Sequence, residues 1–190
     1  VCSSDLEDTH HNLLAHITRL QIIPQEEYLM MDQFTLRNLE IVYPSHPKGK
    51  SLLDIIDKTA TPMGGRLLRR RIILPLKSVS DISRRLSLVD FLNEQDQLKY
   101  EISELLKTIS DLDRLMGKLA AEKICPKELG YLRQSLISIQ KIKNLLHPHA
   151  DILAWLEPLN SLEELITLLE SHLNAELPVL LAKGNVIRAE

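Results

Sequence analysis

The chain is poor in aromatic residues, glycine and cysteine. Aromatic residues make up 4% of its 190 residues, and it contains 6 glycines and 2 cysteines, Cys2 and Cys125. Few aromatics and few glycines disfavour β-sandwiches and barrels, whose strands and turns use both. Two distant cysteines without a Cys-x-x-Cys spacing indicate neither a disulfide framework nor a zinc site. We therefore expect a reducing, cytoplasmic environment.

Long apolar runs and an excess of positive charge are also missing. No stretch approaches the roughly 20 apolar residues that a membrane-spanning helix needs, and no basic segment followed by an apolar run opens the chain. The formal net charge is −3, so no overall positive field would hold a polyanion to the chain. We expect no membrane partner and no tight DNA contact through this segment alone.

What the sequence does contain is leucine and isoleucine at helical spacing. Hydrophobic residues make up 44% of the chain, enough to bury a core. The pattern predicts an all-α fold in which eight apolar residues from Ile102 to Leu119 share one face. Leu52, Ile55 and Ile56 are expected to form a buried face, as are the stripe residues of a helix from about Ser80. Further helices are expected over 8–22, 35–42, 62–74 and 126–146, and after Ser161.

Local signals mark the ends of several of these helices. Ser51 with Asp54 three residues later predicts a capping box, and Ser161 with Glu164 predicts another. Pro62 suits the first turn of a helix because its missing N–H would be unpaired there anyway. Residues 43–49 contain two prolines and a glycine and predict a loop.

Both ends of the chain are expected to be truncated. Residues 1–6, Val-Cys-Ser-Ser-Asp-Leu, match the translation of a common sequencing adapter, so we interpret them as an artefact. Residues 182–190 show no signal that ends a structural element.

Three segments in correct order and spacing resemble the opening of the core domain of the MutS family of DNA mismatch-repair ATPases. They are residues 36–41 (LRNLEI), 51–57 (SLLDIID) and 59–70 (TATPMGGRLLRR), and residues 75–76, 110–115 and 126–129 look like later landmarks. Arg71 departs from the family pattern, where Trp or another apolar residue is usual. The residues that carry the resemblance, expected to be structural, are Arg37, Asn38, Pro62, Gly64, Arg66, Leu67, Arg69, Pro75, Asp113, Arg114 and Pro126.

The resemblance implies a domain organisation and a function. Residues 7–26 would be the end of a connector domain, and residues 27–190 the first part of the helical core, or lever, domain. This piece would link a DNA-clamp region to an ATPase domain and would not be an enzyme by itself, with no catalytic, cofactor or metal residues.

The implied partners and cofactors belong to the full-length parent. They are mismatched double-stranded DNA, a second copy bound through a C-terminal domain, a MutL-type repair protein, and ATP with magnesium. The implied location is the bacterial cytoplasm, at the nucleoid when the parent is on DNA.

Four motifs suggest a function, but each of them has a simpler structural interpretation. Residues 49–51 (GKS) end like a phosphate loop, but Pro44 stands at the first glycine position, so Ser51 is better read as a helix cap. Asp111 and Asp113 would lie roughly 200° apart on a helix, which disfavours an acid/base pair and leaves Asp111 near a helix start. His10, His11 and His16 lack a convincing ligand spacing and are read as surface residues.

A basic cluster lies at Arg66, Arg69, Arg70 and Arg71. Helical spacing places the first three on one side and Arg71 elsewhere, between Leu67 and Leu68. Phosphate contact is conceivable, but ion pairs with acidic neighbours or with the missing ATPase domain are the favoured interpretation.

The alternative function for the whole chain is a freestanding helical module that binds a partner protein through an apolar stripe.

Overall fold

In a computed structural model, the structure describes residues 26–149, 152–156 and 162–188. The predictions for residues 1–6, for the helix over 8–22 and for the three N-terminal histidines lie outside this part. The all-α fold class is confirmed: within the described residues the only β pairings are two isolated bridges, Tyr28 with Leu76 and Leu173 with Ile187. No helix of the described part is long and apolar enough to cross a membrane.

Nine α-helices can be followed along the described residues. They are α1 (Gln33–Asn38), α2 (Leu52–Ile56), α3 (Pro62–Ile73), α4 (Val79–Glu94), α5 (Asp96–Lys107), α6 (Leu112–Ala120), α7 (Pro126–Leu146), α8 (Leu153–Leu156) and α9 (Glu163–His172), with a 3-10 turn at Leu181–Lys183.

Local capping sets the starts of α2, α3 and α7 as the sequence predicts. Ser51 caps α2, and its partner Asp54 accepts the Ser51 backbone N–H at 2.9 Å while the Ser51 hydroxyl accepts the Asp54 N–H at 3.2 Å. Pro62 and Pro126 occupy the first turns of α3 and α7. The predicted loop over 43–49 is present. Each of these signals acts within one helical turn, so the surrounding fold does not alter it.

Other boundaries differ from the prediction. α1 ends at Asn38 rather than near residue 42, and Glu40 with a φ of 49° turns the chain so that Ile41 is buried. The apolar stripe from Ile102 to Leu119 is divided between α5 and α6 by a turn in which Ile109 is buried. α9 begins at Glu163 with Leu162 at the N-cap position, and Ser161 lies outside the described residues.

The core forms around α7, which packs against α5, α6, α8 and α9. Its centre is Leu115, Leu132 and Leu136, and Leu112, Leu162, Ile166 and Leu169 pack around them. At a rise of 1.5 Å per residue, the 21 residues of α7 span about 32 Å, so one straight element supports four others.

The first four helices contain no buried residue. The expected buried face of α2 is therefore wrong, since Leu52, Ile55 and Ile56 are 45%, 57% and 42% exposed. The stripe of α4, which includes Leu86 and Val89, is likewise exposed. Helical spacing predicts which face of a helix is apolar, but burial also requires an element packed against that face.

Candidate functional site

Arg66 joins two helices that are far apart in the sequence. Its guanidinium donates to both oxygens of Asp111, at 2.8 and 2.7 Å, and to Asp113 at 2.6 Å. Asp111 also caps α6, because its side chain accepts the Arg114 backbone N–H. The start of α6 is thereby attached to the first half of α3.

The carboxylates of Asp111 and Asp113 lie closer together than the sequence predicts. The expectation that they diverge assumes that both are helical, but Asp111 is the extended N-cap residue and only Asp113 lies within α6. Hydrogen bonding to Arg66 lowers the pKa of Asp111 from 3.8 to about 2, and these bonds raise the pKa of Arg66. The cluster stays charged near neutral pH and acts as a structural tie, in agreement with the favoured interpretation of Arg66 as an ion-pair residue.

Arg69 lies beside the loop over 43–49. Its guanidinium donates to the Tyr43 hydroxyl at 2.8 Å and stands 5.4 Å from the centre of that ring. Both residues line a cleft of about 410 Å³, together with Arg37 from the last turn of α1. The apolar side chains that line the cleft include Leu36, Val42 and Ile73.

The sequence predicts that Arg66, Arg69 and Arg70 share one side of a helix, but in the structure these three arginines have different neighbours. Arg66 contacts the start of α6 and Arg69 contacts Tyr43, whereas Arg70 lines a separate cleft with Arg71. Arg71 lines this cleft together with Leu67, one of the two apolar residues between which helical spacing predicts it. The end of α3 is bordered by α4, which contributes Arg85 to the same cleft.

The remaining residues that carry the resemblance have structural surroundings. Gly64 donates its N–H to the capping hydroxyl of Thr61 at 3.0 Å, and a Cβ on Gly64 would stand 3.0 Å from that oxygen. The Pro75 carbonyl accepts the Leu29 N–H at 2.8 Å, which ties the segment before α1 to the end of α3. Leu67 lines the cleft that holds Arg70 and Arg71.

Two of these residues are helix ends and one is a surface side chain. Asn38 is the last residue of α1, and buried Pro126 is the first residue of α7. Arg114 is exposed, and within the described residues its side chain forms no hydrogen bond or ion pair. The structure thus brings together Arg66 with Asp113, and Arg37 with Arg69 at one cleft.

The sequence prediction missed two serines that the fold buries completely. The hydroxyl of Ser135 accepts the Ser110 N–H at 3.0 Å and donates to the Tyr131 carbonyl at 2.7 Å. Ser138 lies 2.7 Å from the Thr108 hydroxyl and donates to the Gln134 carbonyl. Both hold the turn between α5 and α6 against α7. Their spacing of three residues on the apolar face of α7 is the signal that could have identified them.

Glu128 forms a second tie between α6 and α7. It accepts the Cys125 backbone N–H at 3.1 Å and forms an ion pair with Lys118 of α6. Hydrogen bonding to Lys118 is the main cause that lowers the pKa of Glu128 from 4.5 to about 2. The start of α7 is thus held to α6 by a charge that persists at neutral pH.

The described residues include no group of three or more His, Cys, Asp or Glu side chains that could hold a metal ion. The phosphate-loop-like residues 49–51 do not fit a nucleotide phosphate, because Ser51 is fully buried and its hydroxyl is occupied by the cap of α2. The charged ties and the buried serines connect helices to one another.

Comparison with known proteins gives one consistent family. The family model described as MutS domain III matches residues 34–189. Relatives named DNA mismatch repair protein MutS include those of Flavobacterium johnsoniae, 41% identical over 184 residues, and Bacteroides thetaiotaomicron, 36% identical over 182 residues. These alignments cover 96% and 95% of this chain and 21% of each relative. The chain therefore spans about a fifth of the length of the curated relatives it matches.

Proposed function

Because the chain belongs to the MutS family, we propose that it is the helical core of a DNA mismatch-repair ATPase, linking a DNA-clamp region to the ATPase domain. In this proposal the segment is a semi-rigid transmitter with no active site of its own. The parent would bind mismatched double-stranded DNA, ATP and magnesium, a second copy of itself and a MutL-type partner, in the bacterial cytoplasm and at the nucleoid when on DNA.

The observation that carries the proposal is the arrangement around α7. A helix about 32 Å long with four others packed on it moves as one body more readily than a chain of loops would. The ion pair of Arg66 attaches α3, which contains no buried residue, to this body at the start of α6. The ion pair of Glu128 adds a charged contact between α6 and α7. Such ties can change partner when neighbouring parts move, which suits an element that passes on a displacement.

The transmitter role can be tested at Arg66 in the full-length parent. We expect Arg66→Ala to reduce the stimulation of ATP turnover by mismatched duplex by about fivefold or more, the lower range of allosteric coupling. DNA affinity and turnover without DNA should change by less than about twofold, because Arg66 would touch neither ligand.

Arg114→Ala is the matched control, since it removes the same charge close to Asp111 without breaking the ion pair with Arg66. Equal stimulation in Arg66→Ala and Arg114→Ala would refute the transmitter role, as would a loss of DNA binding in Arg66→Ala alone.

A freestanding helical interaction module is the second candidate. The observation in its favour is the exposed apolar stripe of α4, where Val79, Leu86 and Val89 are 76%, 55% and 51% exposed. Sequencing the uninterrupted gene separates the two proposals. A downstream reading frame with a Gly-x4-Gly-Lys-Ser/Thr phosphate loop supports the mismatch-repair parent, whereas a natural stop soon after residue 190 supports the module.

A further inference from the structure

Three arginines converge on one small cleft where α3 passes α4. Arg70 and Arg71 come from the last turn of α3, and Arg85 comes from α4. The cleft has a volume of about 200 Å³ and is otherwise lined by Tyr28, Leu67 and Leu74. No acidic residue of the described chain lines it, so it concentrates positive charge within a chain whose net charge is negative.

These arginines differ from Arg66 and Arg69 because their side chains have no hydrogen-bonding partner within the described residues. Arg66 and Arg69 are held by Asp111 and Tyr43, whereas the side chains of Arg70, Arg71 and Arg85 form no hydrogen bond or ion pair within the described residues. Burial, and next the charge of Arg85, lower the pKa of Arg71. Arginine in the last turn of a helix is favoured by the helix dipole, but the dipole does not account for a third arginine brought in from α4.

The cleft continues into a second one that contains the only tryptophan of the chain. This second cleft, of about 350 Å³, shares Arg71 and Arg85 and adds Arg84 and Trp155. The Arg84 guanidinium carbon lies 4.5 Å from the centre of the Trp155 ring. Its lining also includes Glu27 and Asp81, and within the described residues neither forms an ion pair with these arginines.

We propose that the three-arginine cleft, formed by Arg70, Arg71 and Arg85, binds a dianionic phosphate group. Three guanidinium groups carry more charge than one carboxylate or one phosphodiester can neutralise. A terminal phosphate offers three oxygens that accept hydrogen bonds from several guanidinium groups at once. Free pyrophosphate and the terminal phosphate of a nucleotide share this chemistry. The ligand would join the end of α3 to α4, whose contact is otherwise apolar or repulsive.

Titration of the 190-residue chain with inorganic pyrophosphate tests the proposal. Trp155 is the only tryptophan, so its fluorescence reports on the neighbouring cleft without interference from another indole. We expect a saturable change with a dissociation constant of about 1 mM or tighter. Added sodium chloride should weaken it, because the interaction is between exposed charges.

Variants of the cleft separate specific binding from a general effect of charge. Arg71→Gln and Arg85→Gln should each weaken pyrophosphate binding by about tenfold or more, the range for losing a hydrogen bond to a charged group. Arg85→Lys should recover part of the loss, since it keeps the charge and loses the fork. Arg114→Gln is the matched control and should bind like the original chain. Circular dichroism of each variant checks that the helices are intact.

Further ligands distinguish the source of the phosphate. ATP binding at least about tenfold tighter than pyrophosphate identifies a nucleotide as the ligand, and equal binding identifies a free polyphosphate. The proposal is overturned if no saturable change occurs, or if Arg71→Gln and Arg85→Gln bind like the original chain. It is also overturned if a glutamate-rich peptide or duplex DNA binds at the same arginines while pyrophosphate does not compete.

Discussion

Replacing Ser135 by alanine should loosen the turn between α5 and α6 far more than replacing Ser138. Both serines are fully buried on α7, and both bond to the turn. The two substitutions differ in whether they leave a polar group without a hydrogen-bond partner. Ser135→Ala removes the only acceptor that the structure gives the Ser110 N–H, at a point where the Ser135 side chain is fully buried. An orphaned buried donor of this kind costs about 1–3 kcal/mol.

Ser138→Ala leaves no donor or acceptor without a hydrogen-bond partner. Its partner Thr108 already bonds to the Leu105 carbonyl at 2.7 Å, and the Gln134 carbonyl remains within the helix. The loss is therefore that of an ordinary hydrogen bond, about 0.5–1.5 kcal/mol. Alanine is also the better helix former by up to about 0.5 kcal/mol, which offsets part of the loss in both variants. The expected net cost is about 0–1 kcal/mol for Ser138→Ala and about 0.5–2.5 kcal/mol for Ser135→Ala.

Hydrogen exchange in the full-length parent, followed by mass spectrometry of peptides from α5 and α6, measures the difference. Where exchange reports local opening, a cost of about 0.5–2.5 kcal/mol speeds it about 2- to 70-fold, and a cost of about 0–1 kcal/mol speeds it by about fivefold or less. Ser87→Ala is the control, because Ser87 is exposed and bonds only to its own helix. Equal acceleration in the two α7 variants, or a larger effect of Ser138→Ala, would refute the reasoning.

Leu136→Ala should destabilise the α7 core by about 2–5 kcal/mol in urea unfolding, because Leu136 is buried at its centre, whereas exposed Leu168→Ala should stay within about 0.5 kcal/mol. Ser51→Ala should cost about 1 kcal/mol through loss of the α2 cap, seen as faster exchange of the Asp54 amide. The Arg66–Asp111 tie should contribute stability above pH about 4 and lose it as the pH falls toward 2, since the folded-state pKa of Asp111 is the lower one. Carboxyl titration by NMR should show that pKa returning toward 3.8 in Arg66→Ala, and an unchanged value would exclude Arg66 as the cause.

The features predicted correctly from the sequence are those whose causes lie within one helical turn. The cap at Ser51 depends on Asp54 three residues later, and the ends of α7 depend on Pro126 and on the His147–Pro148 pair. The break between α5 and α6 has one local signal, Asp111, which is expected near a helix start and caps α6, but Ile109 continues the apolar spacing across the turn. That turn is held by hydrogen bonds from serines 25 and 30 residues further along the chain.

The contacts between helices at the candidate site cannot be predicted from helical spacing alone. Helical spacing placed Arg66 and Arg70 on one side, but their surroundings come from α6 and α4. Arg66 meets Asp111 across 45 residues, and Arg70 meets Arg85 only because α4 borders the end of α3. Predicted apolar faces fail for the same reason, since α2 and α4 have the expected pattern but no element of the described residues buries it. The family resemblance predicted the type of domain, which helical spacing could not, because the resemblance rests on the order of several sequence segments along the chain.

The uneven distribution of buried residues has a consequence for synthesis on the ribosome. Helices α1 to α4 leave the ribosome first and contain no buried residue, while the core around Leu136 needs Ile166 and Leu169 of α9. About 80 residues separate the end of α4 from the end of α9, so at roughly 5–20 residues per second the leading helices wait for about 4–16 s. During that interval the core residues already synthesised, which include Leu115 and Leu136, are available to chaperones. Codon usage between α4 and α9 should therefore influence the yield of folded protein.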